Sequence, residues 1–451
     1  MNWLQLLTGD EKPQGESYGT GRSAFERDYD RIVFSHPFRR LQDKTQVFPL
    51  PEHSFVHTRL THSIEVSSVA RSLGKEVGEK ILQSQPELVR KGINLYDFGA
   101  ITGAAALAHD IGNPPFGHSG EDAISDFFRH HPRASELKKL YTEAQWEDLC
   151  NFEGNAQGFR LLNRKGYQGL KLTAPTLAAF TKYPRESSFK NKDKARRSQK
   201  KYGFFQSEKE AFANIARPLG LRELSDDGGM AWCRHPLAFL VEAADDICYN
   251  IIDLEDGCRL GFVSFEEARD LLAELLGDSY NADKLNNYRS NSEKIGTLRA
   301  LAIGRLIQQC THKFLEHEEA ILEGSFDQSL TDEIPASGTL DRISKISVKN
   351  IYRAQPVKER EMAGFEVLGG LLSAFIPAAF STADKKEFFG SSKKHIVAAR
   401  LLPDDVHYAI KEAEGDLYRI TLTIIDYVSG MTDRHAVSVY RKLIGISLPV
   451  F

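Results

Sequence analysis

Four side chains in three stretches could together bind a divalent cation: His62 in HTRLTHSIEV, His109 and Asp110 in AALAHDIGNPPFGHSGEDAI, and Asp245 in LVEAADDICYNIIDLEDG. Imidazole with carboxylate suits Mn, Mg, Zn, Fe or Ni and is not the donor set of a thiolate structural site. Two histidines and two aspartates fill only part of a coordination sphere. They leave positions for water and phosphate, the open geometry that hydrolysis needs. Each residue alone has a plainer reading: His62 as a packed or capping histidine, His109-Asp110 as a chance dipeptide, Asp245-Asp246 as surface acid. The dyad gains weight because it closes the almost uncharged run FGAITGAAALAHD. A carboxylate buried there needs a partner, since an unpaired buried charge is costly. Beyond it, Gly112, Pro114, Pro115 and Gly117 make a stiff loop that ends the helix beside the dyad.

Two further groupings could act on a substrate. His118 and Glu121 lie three apart and project to neighbouring places if a helix begins near Ser119. Three readings stand. A histidine oriented by a carboxylate can protonate a leaving oxygen near neutral pH. Glu121 can be a helix N-terminal acid favoured by the macrodipole. Or His118 can be a ligand for a second metal. Asp245, Tyr249 and Asp253 recur every fourth residue, opposite Ala243, Ile247 and Ile251, as on a helix face lining a cavity. The plain alternative makes Tyr249 a core residue.

Holding these stretches together takes long helices. His62 to Leu82 puts Val66, Val69, Leu73, Val77 and Ile81 on one stripe, and Asp97 to Asp110 suits a tightly packed buried helix. Leu237 to Leu254, Lys358 to Phe375 and Asp404 to Val428 also read as helices. Strand signals are few, the best being Tyr202 to Gln206, a small hairpin at most. The expected fold class is therefore all-α. Residues 1–26 read as irregular, 27–265 as the helical core carrying the chemistry, and 266–451 as a C-terminal helical region packed on it. The segment Lys182 to Lys201 holds Arg185, Lys190, Lys192, Lys194, Arg196, Arg197 and Lys200 with few acids. It is either a solvated surface loop or a polyanion-contacting loop.

Composition adds exclusions. The 451 residues are 41% hydrophobic and 27% charged with a net charge of -4, so no global field draws the chain to nucleic acid or membrane. Cys150, Cys233, Cys248, Cys258 and Cys310 are scattered without a CxxC, which fits a reducing cytoplasm. No signal peptide is expected. No uncharged apolar run approaches the roughly 20 residues of a bilayer span.

The order H…HD…D resembles the HD phosphohydrolase superfamily. The longer strings RLTHSIEV, AHDIGNPPFGHSGEDAI, NFEGNAQGFRLL, LTAPTLAAFTKYPR, KKYGFFQSE, LVEAADDICYNIIDLEDG and DYVSGMTDRHA resemble its dGTPase-like deoxynucleoside triphosphate triphosphohydrolases, from about Arg27 to Arg441. The resemblance implies that His62, His109, Asp110 and Asp245 hold one catalytic metal. It implies attack by water at the α-phosphorus of a dNTP, releasing deoxynucleoside and tripolyphosphate, with His118 and Glu121 in acid-base chemistry near the α-phosphate. Tyr249 then stacks under the deoxyribose and blocks a 2′-hydroxyl, and Asp253 helps order the phosphate end. Gln46 and Val47, 16 and 15 residues before His62, match the sugar- and base-contacting pair. Arg59, three before His62, matches an arginine on the α-phosphate or base. Lys182, Tyr183 and Arg185 in TKYPR, with Lys200 or Lys201, supply phosphate contacts. Arg353 in NIYRAQP is a candidate base or effector contact. A homo-oligomer (tetramer or hexamer) and a dNTP effector or single-stranded DNA as partner are expected on the same ground, and no membrane. Other HD nucleotidases or phosphodiesterases, and a non-catalytic nucleic-acid or regulatory protein, are the competing classes.

Overall fold

The computed structural model describes residues 1–8, 21–46, 57–164, 169–225, 228–383, 389 and 392–446. The fold is all-α, and four isolated bridge contacts are the sole β pairing among the described residues. Three helices form its centre. Arg59–Ser84 starts at Thr58, whose hydroxyl oxygen accepts the Thr61 N–H while Thr61 returns the contact to the Thr58 N–H. Its stripe of Val66, Val69, Leu73, Val77 and Ile81 is buried. Leu95–Ala108 crosses it at close range, which small residues permit: a Cβ on Gly74 would lie 2.3 Å from Thr102 Oγ1 and 2.7 Å from the Phe98 carbonyl oxygen. Pro236–Arg259 packs against both, with Pro236 in its first turn and the His235 ring accepting the Leu237 N–H at 3.1 Å.

Burial gathers the apolar side chains into two main cores. One apolar core runs from Trp3 to Ile351 and takes in Leu272, Leu298, Phe314 and Ile343. A second joins Phe116, Ile124, Phe128 and Leu149 to the C-terminal helices Gln355–Thr382, Leu417–Ser429 and Asp433–Leu443. The loop after the HD dyad therefore lies at the seam between the cores. Within the segment expected to be irregular, Trp3–Thr8 is helical because Trp3, Leu6 and Leu7 are buried in the first core and Trp3 Nε1 donates to Glu318 at 2.7 Å. A further helix begins at Ala24, capped by Ser23.

One helix differs from expectation. Asp404 to Val428 is not one helix: Glu414 and Gly415 take positive φ (50° and 82°), and Asp416 caps a new helix by accepting the Tyr418 and Arg419 N–H groups. Tyr202 to Gln206, expected to be a small hairpin at most, stays within that limit. Phe204 makes a single bridge to Glu186, and its ring stacks on Phe212 at 4.9 Å. Packing aromatic side chains into the core, rather than pairing backbone, holds this segment. Val357–Thr382 is long and apolar enough by composition to cross a bilayer, but 61% of its most apolar stretch is buried inside the fold.

Candidate metal centre and its surroundings

The three central helices deliver four side chains to one place. Ligand atoms of His62, His109 and Asp110 lie within 4.8 Å of one another. Asp245 Oδ1 faces both imidazoles, 3.3 Å from His62 Nε2 and 3.6 Å from His109 Nε2. His109 Nδ1 sits 2.7 Å from the Ala106 carbonyl oxygen, which fixes the proton on Nδ1 and leaves the Nε2 lone pair pointing at the carboxylates. Two imidazole nitrogens and two carboxylates turned inward, with no thiolate, fit a divalent cation. Burial opposes charge on Asp245, but Lys182 and the two imidazoles outweigh it and hold the carboxyl well below the usual range. Burial likewise opposes charge on Asp110, and Arg59 foremost keeps that carboxyl low. Both stay ionised, as metal ligation requires.

Cations surround this centre. Arg59 Nη1 lies 2.8 Å from Asp110 Oδ2, and Lys182 Nζ lies 3.2 Å from Asp245 Oδ2. Asn113 donates to Asp110 Oδ1, and the Asn113 carbonyl accepts from Lys44 Nζ at 2.5 Å. Lys44 also donates to the Ser429 carbonyl at 2.8 Å, tying the loop to the C-terminal region. The loop then turns through Phe116 and Gly117, both at positive φ (66° and 64°). The Phe116 N–H is clamped by Asp433 at 3.1 Å, and a Cβ on Gly117 would sit 2.9 Å from Arg59 Nη2. That turn brings His118 round beside Arg59.

His118 begins helix His118–His130, and its ring is exposed while Glu121 is buried. His118 Nδ1 lies 2.7 Å from Glu121 Oε2, and the Gly154 N–H donates to Glu121 Oε1 at 2.6 Å. The bond to Glu121 raises the His118 pKa above that of an ordinary imidazole. Nδ1 is taken, so Nε2 is the nitrogen free to face a ligand.

The remaining sequence candidates fall around this centre in different ways. Tyr249 is partly exposed and stacks on Tyr352, ring centroids 5.5 Å apart. The Tyr352 hydroxyl donates to Asp253 at 2.5 Å, and burial lifts the Asp253 carboxyl to about 7. Tyr352, which no sequence spacing singled out, thus joins the face formed by Asp245, Tyr249 and Asp253. Its neighbour Arg353 is exposed on the turn that follows. Gln46 is half-buried, its Oε1 without a hydrogen-bond partner among the described residues, next to the Thr45–Thr58 bridge at the head of the His62 helix. Val47 lies outside the described residues. Tyr183 follows Lys182 and feels its charge.

The basic segment does not face outward as a unit. Arg185 is buried and donates to the Gln199 and Glu186 carbonyls at 3.1 and 2.8 Å. Arg196 pairs with Asp327 at 3.2 Å, and Arg197 with Glu242 at 3.1 Å and Asp332 at 3.2 Å. Arg196 and Arg197 hold the segment to the fold, and Arg185 braces it from within. Lys182 and Lys201 are the cations from its two ends that reach the centre, Lys201 lying 3.9 Å from Glu121 and 3.0 Å from Glu153. Lys44, Asp433, Tyr352 and Glu153 escaped sequence reasoning because none shares a helical repeat with a ligand. The signal nearest to them was position within or beside a quoted string.

Comparison with known proteins gives the family. The HD domain, a metal-dependent phosphohydrolase fold, matches residues 59–152, and the phosphohydrolase-associated domain matches residues 335–442. A deoxyguanosinetriphosphate triphosphohydrolase-like protein of Synechocystis sp. is 44% identical over 99% of this chain and 100% of its own length. One of Listeria monocytogenes is 36% identical over 99% of this chain and 100% of its own. A deoxyguanosinetriphosphate triphosphohydrolase of Salmonella typhimurium is 32% identical over 94% of both. With its HD segment holding His62, His109 and Asp110 and its relatives matching end to end, the chain belongs to the deoxyguanosinetriphosphate triphosphohydrolase-like family of HD-domain phosphohydrolases.

Proposed function

We propose that the chain hydrolyses a deoxynucleoside triphosphate, dGTP foremost, to deoxynucleoside and tripolyphosphate, by attack of water at the α-phosphorus. The observation that carries this is the juxtaposition of a two-imidazole, two-carboxylate centre with Lys182 on one flank and the Arg59–His118–Glu121 group on the other. A divalent cation held by His62, His109, Asp110 and Asp245 would polarise the phosphoryl oxygen and lower the pKa of the attacking water. Arg59 and Lys182 bind and orient phosphate oxygens beside the cation. His118, protonated and aligned by Glu121, gives its Nε2 proton to the departing 5′-oxygen. Tyr249, backed by Tyr352, walls the sugar, and Asp253 helps order the phosphate end. Gln46 meets the 3′-hydroxyl, and Val47 and Arg353 remain base-side candidates. The native metal among Mn, Mg, Zn, Fe and Ni, a dNTP effector or single-stranded DNA as partner, a tetramer or hexamer, and a cytoplasmic location belong to the same proposal.

Chromatography of the products from the four dNTPs and GTP, with Mn²⁺, Mg²⁺ or Zn²⁺, tests it. Tripolyphosphate released in equal amount with deoxynucleoside is the expected result. Stepwise orthophosphate would point to another HD nucleotidase. DNA binding without turnover would point to a regulatory protein.

Two substitutions probe the walls. Tyr249→Ala removes the ring stacked on Tyr352 and opens space where a 2′-hydroxyl would lie. The ratio of kcat/KM for dGTP over GTP is expected to fall by about tenfold, a typical worth for a steric filter. An unchanged ratio would take Tyr249 out of the sugar pocket. Lys182→Ala removes a cation from the phosphate path. KM for dNTP is expected to rise more than kcat falls, the mark of lost uniform binding, and inhibition by tripolyphosphate should weaken. Unchanged KM and unchanged inhibition would leave Lys182 only its structural pairing with Asp245.

A further inference from the structure

The acid-base pair shares its surroundings with a second carboxylate that the chemistry above does not use. Lys201 Nζ bridges the two acids, 3.0 Å from Glu153 Oε2 and 3.9 Å from Glu121 Oε2. Glu153 immediately precedes helix Gly154–Leu162, whose first N–H is the donor to Glu121. Glu153, Lys201, Glu121 and His118 thus form one chain of alternating charge, acid, base, acid, base. Tyr183 feels the charge of both Lys201 and its own neighbour Lys182, the lysine assigned to phosphate above. The Lys201 side chain is 29% exposed and long, free to turn from the acids to an arriving anion.

With Lys201 in place and His118 protonated, the four charges cancel. A polyphosphate that draws Lys201 to itself leaves Glu153 largely buried, beside ionised Glu121, without its cation. An unpaired carboxylate in such a place is relieved by taking a proton.

We propose that Glu153 is a positioning residue that stations Lys201 beside the His118–Glu121 pair in the free enzyme, and takes up one proton when a bound polyphosphate draws Lys201 away. This rests on the proposed triphosphate site and deepens it. The proton goes from solvent to the Glu153 carboxylate, and no other bond is made or broken. Burial first, and Glu121 second, already push the Glu153 pKa up to about 7, with Lys201 opposing them, so loss of the lysine can only raise it further. The other titratable groups in its field are Arg185 and Tyr202. Both are engaged elsewhere: Arg185 donates to backbone carbonyls, and the Tyr202 hydroxyl donates to the Asp148 carbonyl at 3.1 Å.

The test is calorimetric titration of the metal-loaded enzyme with tripolyphosphate at pH 8, in two buffers of different ionisation enthalpy, which yields the number of protons exchanged. Metal is kept equal in cell and syringe. Glu153→Gln keeps the size and can still accept from Lys201, but cannot take a proton. Wild type is expected to take up about one proton more than Glu153→Gln, the ligand's own protons being common to both. By linkage, wild-type affinity should then fall with rising pH by up to about tenfold per unit more steeply than that of Glu153→Gln. Lys201→Met should also lose the extra proton, because its Glu153 is protonated before the ligand arrives. Equal proton counts in wild type and Glu153→Gln, with both binding tripolyphosphate, would overturn the role, as would a Lys201→Met enzyme that keeps the wild-type count. Failure of wild type to bind tripolyphosphate at all would sink the triphosphate site itself and this role with it.

Discussion

Asp110→Asn is expected to empty the metal centre. Asp110 is buried, with Arg59 Nη1 2.8 Å from one oxygen and His109 Nε2 3.6 Å from the other. An amide in its place can still accept from Asn113, so the loop keeps its local bond. The negative charge is what is lost, and two things follow. Arg59 is left beside a neutral group, and the centre has one anionic ligand fewer to balance a divalent cation. Outer-shell partners of metal ligands are typically worth about 10–100-fold in metal affinity, and a ligand itself should be worth at least about 100-fold. Metal content after gel filtration should fall to near background, and turnover with it. A thermal shift gives a readout independent of activity. Cation at about 100 times its Kd stabilises a protein by about 2.7 kcal/mol. Wild type should therefore melt later when metal is added, and Asp110→Asn should not. Unchanged metal stoichiometry would remove Asp110 from the ligand set.

His118→Ala is expected to leave the metal in place and lower kcat by about 10²–10⁴, the usual worth of a general acid. The geometry separates the two effects. His118 Nδ1 is committed to Glu121 at 2.7 Å, and the ring is exposed, outside the cluster of His62, His109 and Asp110. Glu121 raises the His118 pKa, chiefly through that bond. A general acid works in its protonated form, so activity should persist below the raised pKa and decline as pH rises through it. Glu121→Gln removes the carboxylate and lowers the pKa, so the alkaline limb of the kcat profile should move to lower pH. Metal analysis of His118→Ala decides the second-metal alternative: loss of bound metal would make His118 a ligand and not a proton donor.

Sequence and structure divide the work unevenly. The helices around the centre were legible because their apolar residues repeat at helical spacing and because Leu95–Ala108 is made of small residues that suit only a buried, closely crossed helix. The break at Glu414-Gly415 was signposted by a glycine and a capping aspartate, yet the apolar repeat on either side masked it. The basic segment is less legible. Its composition shows a surplus of cations but not their partners, which come from Glu242, Asp327 and Asp332 far along the chain.

The all-α class, the residue types of the candidate metal centre and the spacings of His118 to Glu121 and of Asp245 to Tyr249 to Asp253 are legible along the chain. These are local properties, set by helical periodicity and by the chemistry of single side chains. The packing of distant segments sets which charges meet. It turned Arg59 to Asp110 and Lys182 to Asp245, fastened Arg185, Arg196 and Arg197 inside the fold, and stacked Tyr352 on Tyr249 across more than a hundred residues of chain. It also set Glu153 and Lys201 against the acid-base pair. The physical reason is that a buried charge must find a counter-charge wherever packing brings one, and packing between distant segments leaves no period in the sequence.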